Sequence, residues 1–238
     1  MDNAIYTALT RQTGLLAEMD VVANNLANSS TTGFRAQGAV FSEFVRDTGP
    51  DGKSLSMARL NAYRTDLSQA GLRNTGGTYD LAIEGSGFFA VQTPEGPALT
   101  RAGAFVPTAS GELATADGHP VLDAGLSPVF VPPDAQTLAI SSDGTVSADG
   151  IPIGQIGVFE PGDPVNLKRM SGTLFTAGED IEASETGRVL QGFVESSNVN
   201  PITEITRMIE VQRAYEMGQK LLDQEHERIR NIMQTLTK

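Results

Sequence analysis

The chain has 238 residues, 39% of them apolar, a net charge of −12, and neither cysteine nor tryptophan. That length allows one large or two small domains with a buried core. The missing cysteines exclude disulfides, thiolate catalysis and cysteine-bound metals, and no uncharged stretch approaches the ~20 residues of a membrane span.

The acidity sits in the middle of the chain. Residues 198–238 hold six acids and six bases, residues 1–35 hold three acids and two bases, and the remainder carries a net −11. Nucleic acid is therefore disfavoured as a partner, because phosphate binding calls for a basic face. The start, Met1-Asp2-Asn3, lacks the basic residues and apolar core of a cleaved secretion signal. That predicts a cytosolic protein, or export by a route that reads no such peptide.

In chain order the first predicted element is a helix. Ile5, Leu9, Gln12, Leu16, Met19, Ala23 and Leu26 recur in steps of four and three, a coiled-coil-like seam of about three heptads with Gln12 as one polar layer. Gly14 is its weak point, costing ~1 kcal/mol in a helix. Asn28 and the Ser-Ser-Thr-Thr-Gly tract end it, and Gly33 is free to adopt a left-handed conformation. Asn24, Asn25 and Asn28 read first as backbone caps and second as contacts between copies.

Residues 36–75 mix Phe41, Phe44 and Val45 with a polar Gly-Pro-Asp-Gly tract, which predicts a partly irregular arm. From residue 76 to 197, short runs such as Leu81-Ala82-Ile83 and Phe89-Ala90-Val91 lie between turn pairs, among them Asp117-Gly118, Asp143-Gly144 and Asp149-Gly150. That pattern predicts an all-β unit of many strands. The chain closes on a second helix. Asn200 is placed to cap it, Pro201 suits the first turn, and Glu204 complements the positive helix end. Its stripe runs Met208, Val211, Tyr215, Gly218, Leu222, Glu225, Ile229, Ile232 and Leu236.

The resulting fold class is α+β: an all-β central domain with long terminal helices that pair as a coiled-coil-like stalk. Residues 1–35 together with 198–238 form the helical domain, 36–75 the arm and 76–197 the β domain. Such a stalk keeps open faces, which favours packing against other copies.

Catalysis finds little support in the residues. His119 sits in a turn and His226 among charges, with no metal-binding spacing. Gly85-Ser86-Gly87 lacks the patterns of a phosphate loop or a nucleophile turn and reads as a hairpin. Asp143 and Asp149 each precede glycine in a turn and match no calcium loop. Two rival readings stand beside an assembling protein: a periplasmic cell-wall enzyme, and a coiled-coil adaptor that joins no filament.

Three motifs carry a resemblance across nearly the whole chain. NNLANSSTTGFR at 24–35 resembles the N-terminal signature of flagellar rod and hook proteins, and SSNVNPITEITRMIEVQRAYE at 196–216 resembles their C-terminal signature. YDLAIEGSGFFAVQTPEG at 79–96 and TRAGAF at 100–105 are similar to the central β segment of the same family. Pro120-Val121-Leu122, the Asp143–Ser147 run and Asn200-Pro201 lean toward its proximal-rod branch, with the distal-rod branch the close competitor. The length disfavours the hook protein, which carries an extra outer domain. Gln12 and Gly14 depart from an even seam.

The resemblance implies a structural subunit of the flagellar basal-body rod, made in the cytoplasm and exported through the flagellar type III apparatus without a cleaved signal. Its terminal helices would form an inner tube around the export channel and its β domain an outer shell in the periplasm. The implied partners are copies of itself, other rod subunits and the export apparatus. No nucleic acid, membrane insertion, small-molecule substrate, cofactor, metal or catalytic residue is implied. Stripes and motifs together nominate Ile5, Leu9, Leu16, Met19, Asn25, Leu26, Asn28, Gly33 and Phe34 as assembly residues at one end. Asn198, Asn200, Met208, Val211, Gln212, Arg213, Tyr215, Leu222, Ile229 and Ile232 are their counterparts at the other.

Overall fold

The computed structural model describes residues 2–47, 54–163, 166–176, 181–184 and 186–236; the side chains of residues 2–6, 43–47, 54–59 and 236 fall outside that description. The described chain is α+β and divides into two compact units. One comprises residues 1–29, 36–66 and 199–238, the other residues 30–35 and 67–198.

The first unit holds two helices, α1 (Asp2–Ala27) and α2 (Pro201–Leu236), and a hairpin of strands β1 (Gln37–Asp47) and β2 (Ser54–Thr65). α1 runs 26 residues without proline. It ends where Asn28 turns its own amide and its side-chain Nδ2 back onto the Asn24 carbonyl, at 3.1 and 2.9 Å. α2 begins at a side-chain cap: Asn200 Oδ1 accepts from the amides of Ile202 (3.1 Å) and Thr203 (3.3 Å), satisfying donors that the first turn leaves free.

Of the irregular or extended arm expected over 36–75, the described part is largely extended strand. β1 and β2 pair antiparallel from Gln37↔Thr65 outward, with a bulge between Val40 and Phe41. Gly14 makes room for this hairpin, since a Cβ there would lie 3.2 Å from the Phe41 ring. The glycine that weakens α1 in isolation thus permits its packing on β1.

The second unit is built on antiparallel pairing. Its six-stranded sheet has the order Lys168–Ser171, Leu174–Thr176, Gly96–Thr100, Phe88–Thr93, Val158–Pro161, Ile181–Ala183. A three-stranded sheet and several strand pairs complete it. Leu81, Ile83, Phe89, Val91, Phe105, Leu113, Val121 and Ile156 fill the main core, each side chain contributing ~1.5–3 kcal/mol when fully buried. Phe89 and Phe105 meet edge to face at 5.3 Å. The expected Asp149-Gly150 turn joins two strands with φ of +49° and +82°, the mirror-image geometry that suits a two-residue hairpin.

Residues 30–35 group with the β unit rather than with the helices, and 36–66 group with the helices.

Candidate assembly interface

Ordinary catalytic groups are spent on local structure. Ser86 Oγ donates to Glu160 Oε1 at 2.7 Å and lies 2.7 Å from Thr186 Oγ1, tying a turn to a strand. The Asp143 carboxylate accepts from the amide and hydroxyl of Thr145 at 3.0 and 2.9 Å, bonds that hold it below the usual carboxylate range. Asp149 Oδ1 accepts from the Thr137 amide at 2.8 Å. Among the described residues no three His, Asp or Glu side chains cluster to hold a metal. None of the described helices is long and apolar enough to cross a membrane.

The helices carry the informative surfaces. On α2 the least exposed positions are Glu204, Met208, Val211, Ala214, Tyr215, Gly218, Leu222, Glu225 and Ile229, and Val211 is buried. That stripe includes the one read from the sequence from Met208 to Ile229; of the remainder, Ile232 is exposed and the side chain of Leu236 lies outside the described residues. Gln212 and Arg213 also lie off the stripe and are exposed.

α1 behaves differently. Its buried positions are Gln12, Gly14, Val21, Val22 and Asn25. At ~100° per residue, the last four share one side, while Leu9 and Leu16 point away from it. Those two leucines are 55% and 45% exposed; Met19 and Leu26 are half-buried. The side chain of Ile5 lies outside the described residues.

Contacts between the two helices run antiparallel. Gln12 Nε2 donates to the Tyr215 carbonyl at 2.9 Å, and Arg207 meets Glu18 at 2.7 Å. Asn25 neither caps α1 nor faces solvent. Its side chain exchanges two hydrogen bonds with the Gln37 backbone, at 2.8 and 2.9 Å, and its Nδ2 also reaches Glu204 at 3.3 Å.

A second constellation, within the β unit, escaped the sequence reading. Gly33 adopts φ +69°, and a Cβ there would fall 2.2 Å from the Ala102 nitrogen, so only glycine fits. The turn buries Phe34 completely and Arg35 with it. Arg35 Nη1 lies 2.7 Å from Glu195 Oε1 as an ion pair rather than a directed hydrogen bond. Arg101 Nη1 reaches Glu195 Oε2 at 3.1 Å, and its Nη2 donates to the Gly85 carbonyl at 2.7 Å. Burial pulls the Arg101 guanidinium below its ordinary value, against the opposing pull of Glu195. Arg169 donates to the Arg35 carbonyl and stacks over Phe34 and Phe175, 4.5 and 4.8 Å from their centroids.

Glu195 is thus a hub. Its carboxylate also accepts from the Ala70 amide at 2.7 Å, and its carbonyl accepts from the Gly33 amide at 2.8 Å. Asn198 adds its amide to the Phe34 carbonyl at 3.3 Å and its Nδ2 to the Ser68 carbonyl at 3.2 Å. The signal available in sequence was the basic residue after Gly33-Phe34. Nothing local marked Glu195 or Arg101 as its partners.

Most of these residues, Ser68, Ala70, Arg169 and Phe175 excepted, fall within spans that match known families. A family model described as flagella basal body rod protein matches residues 5–35. Another, the flagellar hook protein FlgE/F/G D1 domain, matches 82–148, and a third, the flagellar basal body rod FlgEFG protein C-terminal, matches 190–235. The flagellar basal-body rod protein FlgF of Caulobacter vibrioides is 37% identical, over 100% of this chain and 99% of that protein. The chain belongs to the flagellar basal-body rod protein family. FlgF of Mesorhizobium japonicum is 39% identical over 94% of this chain and 93% of its own length. FlgG of Bacillus subtilis, from another branch of the rod family, is 30% identical over 98% of each. The rod family's N-terminal match ends at Arg35, the last residue of the buried turn, and its C-terminal match takes in Glu195.

Proposed function

We propose that this chain is a FlgF-type subunit of the proximal rod, assembling with its own copies and other rod proteins into a helical tube that surrounds the export channel and transmits torque. A FlgG-type place in the distal rod is the alternative, supported by the full-length match to a FlgG protein and disfavoured by its lower identity. The observation that carries the reading is the exposed apolar face of α1, Leu9 and Leu16, on a helix whose other side is already used within the chain.

Exposed leucines on a repeating helix surface gain stability only when another subunit covers them. Surfaces that meet head to tail, without closing, generate a helical assembly. The terminal helices would pair as a coiled-coil-like stalk within this tube. The chain would leave the cytoplasm through the flagellar type III apparatus with no cleaved signal and reside in the periplasmic rod. Helices of this kind owe most of their stability to packing, so their folding would be completed on assembly.

Leu16→Asp tests the reading. The substitution removes an apolar contact worth roughly 2 kcal/mol per interface and adds a charge that must stay hydrated. Purified Leu16→Asp should melt with the unaltered protein, whereas Leu222→Asp, on the half-buried stripe of α2, should melt lower. Cells carrying Leu16→Asp should lack the chain in isolated basal bodies. Normal incorporation and swimming would refute the assembly role of this face.

A further inference from the structure

A groove of about 760 Å3 runs between α1 and α2. Leu15, Met217 and Leu221 give it apolar walls, and Arg11 and Lys220 place two cations on it. Met217 and Leu221 are 64% and 52% exposed, so the groove stands open in the isolated chain.

Gln12 shows that the groove is unfinished. Its side chain is 6% exposed, held by the bond from Nε2 to the Tyr215 carbonyl. Gly218 admits it closely: a Cβ on that glycine would lie 2.2 Å from Nε2. Yet Gln12 Oε1 is buried with no hydrogen-bond partner among the described residues. A buried acceptor without a donor is costly, and the cost disappears when the side chain turns its oxygen to an N–H supplied by an incoming segment.

The chain itself carries a matching ridge on another side of α2. Ile202, Ile205, Ile209, Gln212 and Glu216 follow in steps of three and four, and the three isoleucines are all exposed. Along the axis the ridge presents apolar side chains, then an amide, then an acid. The groove is lined by Leu15, then by Gln12, whose Oε1 lies buried at its wall, then by the cations. The two sequences of chemistry align when one copy is displaced by about one helical turn, ~5 Å, along α2.

We propose that this groove receives the Ile202–Ile205–Ile209 ridge of a second copy, with that copy's Gln212 amide donating to Gln12 Oε1 and its Glu216 lying between Arg11 and Lys220. The inference rests on the rod reading and names the contact through which neighbouring copies meet. Gln212 Nε2, which touches Glu216 Oε1 at 3.2 Å in the isolated chain, exchanges that exposed contact for a buried acceptor. Groove and ridge are different surfaces, so the contact is head to tail and leaves a free groove and a free ridge for the next copies. A polar pair inside an apolar seam fixes register, as a buried asparagine does in coiled coils.

The absence of cysteine makes a direct test clean. The variant Ile209→Cys with Ala214→Cys, whose positions the proposed register sets level across the groove, is expressed in place of the natural chain, basal bodies are isolated, and the thiols are oxidised. Cross-linked species of two or more copies are expected from the double variant and not from either single variant. Basal bodies that contain the variant but yield only monomer overturn the inference and leave the rod reading standing. Disulfides to a different rod protein overturn it too, because the occupant would not be a second copy. If the unaltered chain is missing from basal bodies, the rod reading itself falls.

Should the thiols block incorporation, reversed charges decide. Glu216→Lys should reduce the chain in basal bodies at least tenfold, and adding Arg11→Glu and Lys220→Glu should restore it. Failure of that rescue, with every variant folded, overturns the proposed contact.

Discussion

Glu195→Gln isolates the hub on which residues 30–35 depend. The substitution keeps the side chain's shape and an oxygen for the Ala70 amide, 2.7 Å away. It removes the only carboxylate within ion-pair distance of Arg35 and Arg101 among the described residues. Both arginines are buried, at 0% and 3% exposure, so neither charge can turn to water. Removing one member of a buried ion pair typically costs about 3–5 kcal/mol, because the charge left behind stays desolvated. For a unit of this size, a loss near 3 kcal/mol corresponds to a fall in Tm of roughly 10 °C. Calorimetry on purified protein measures it directly. The triple variant Arg35→Met, Glu195→Leu, Arg101→Met, which removes all the charges at once, should recover most of the loss. A Glu195→Gln protein melting within about 3 °C of the unaltered one would refute the reasoning. So would a triple variant less stable than the single one.

Two further outcomes follow from neighbouring geometry. Gly33→Ala forces a side chain into a left-handed position against the Ala102 backbone, and should cost more than about 1 kcal/mol in urea unfolding; an unchanged midpoint would mean that the turn can be rebuilt. Glu160 is held below its usual value by bonds from the Ser184 and Ser86 hydroxyls. A depressed carboxylate contributes stability that is fully present above its unfolded pKa and lost as pH falls through the folded value. The urea midpoint of Ser184→Ala should therefore trail the unaltered protein at pH 7, with the gap narrowing toward pH 3; a gap independent of pH would contradict that role for Glu160.

Local chemistry made the helix ends and tight turns legible. Asn28, Asn200 and Pro201 act within a few residues of themselves, and Asp149-Gly150 states its turn outright. The hairpin of β1 and β2 was hidden because its support comes from far along the chain: Phe41 packs on Gly14, and Asn25 pairs with Gln37. Periodicity found an apolar face on α1 but not the face that packs within the chain. That side is made of Gly14, Val21, Val22 and Asn25, and its two valines are adjacent, flanked by a glycine and an amide, so they make no repeat of threes and fours. Gln12 and Gly14, irregular in a seam, each make sense once Gly218 and Phe41 are set against them. On α2 the stripe was legible because the long, regular repeat is itself the packing surface. The buried triad was not, since Arg35, Arg101 and Glu195 come from three distant stretches and each reads as an ordinary surface charge.

The three strands of chain that pass Glu195 give the β unit the anatomy of an insertion. The long excursion of this unit begins at Leu67 and closes at Asn198, and its two ends meet where Asn198 Nδ2 donates to the Ser68 carbonyl at 3.2 Å and the Ser196 amide to the Gly71 carbonyl at 3.0 Å. An insert whose two ends already touch imposes little closure entropy on its host, and each doubling of its length adds only ~0.6 kcal/mol. Residues can therefore be added to or removed from the loops of this excursion at little entropic cost while its two ends stay joined. The clasp of Gly33, Arg35 and Glu195 is the part of the molecule that such remodelling must leave alone.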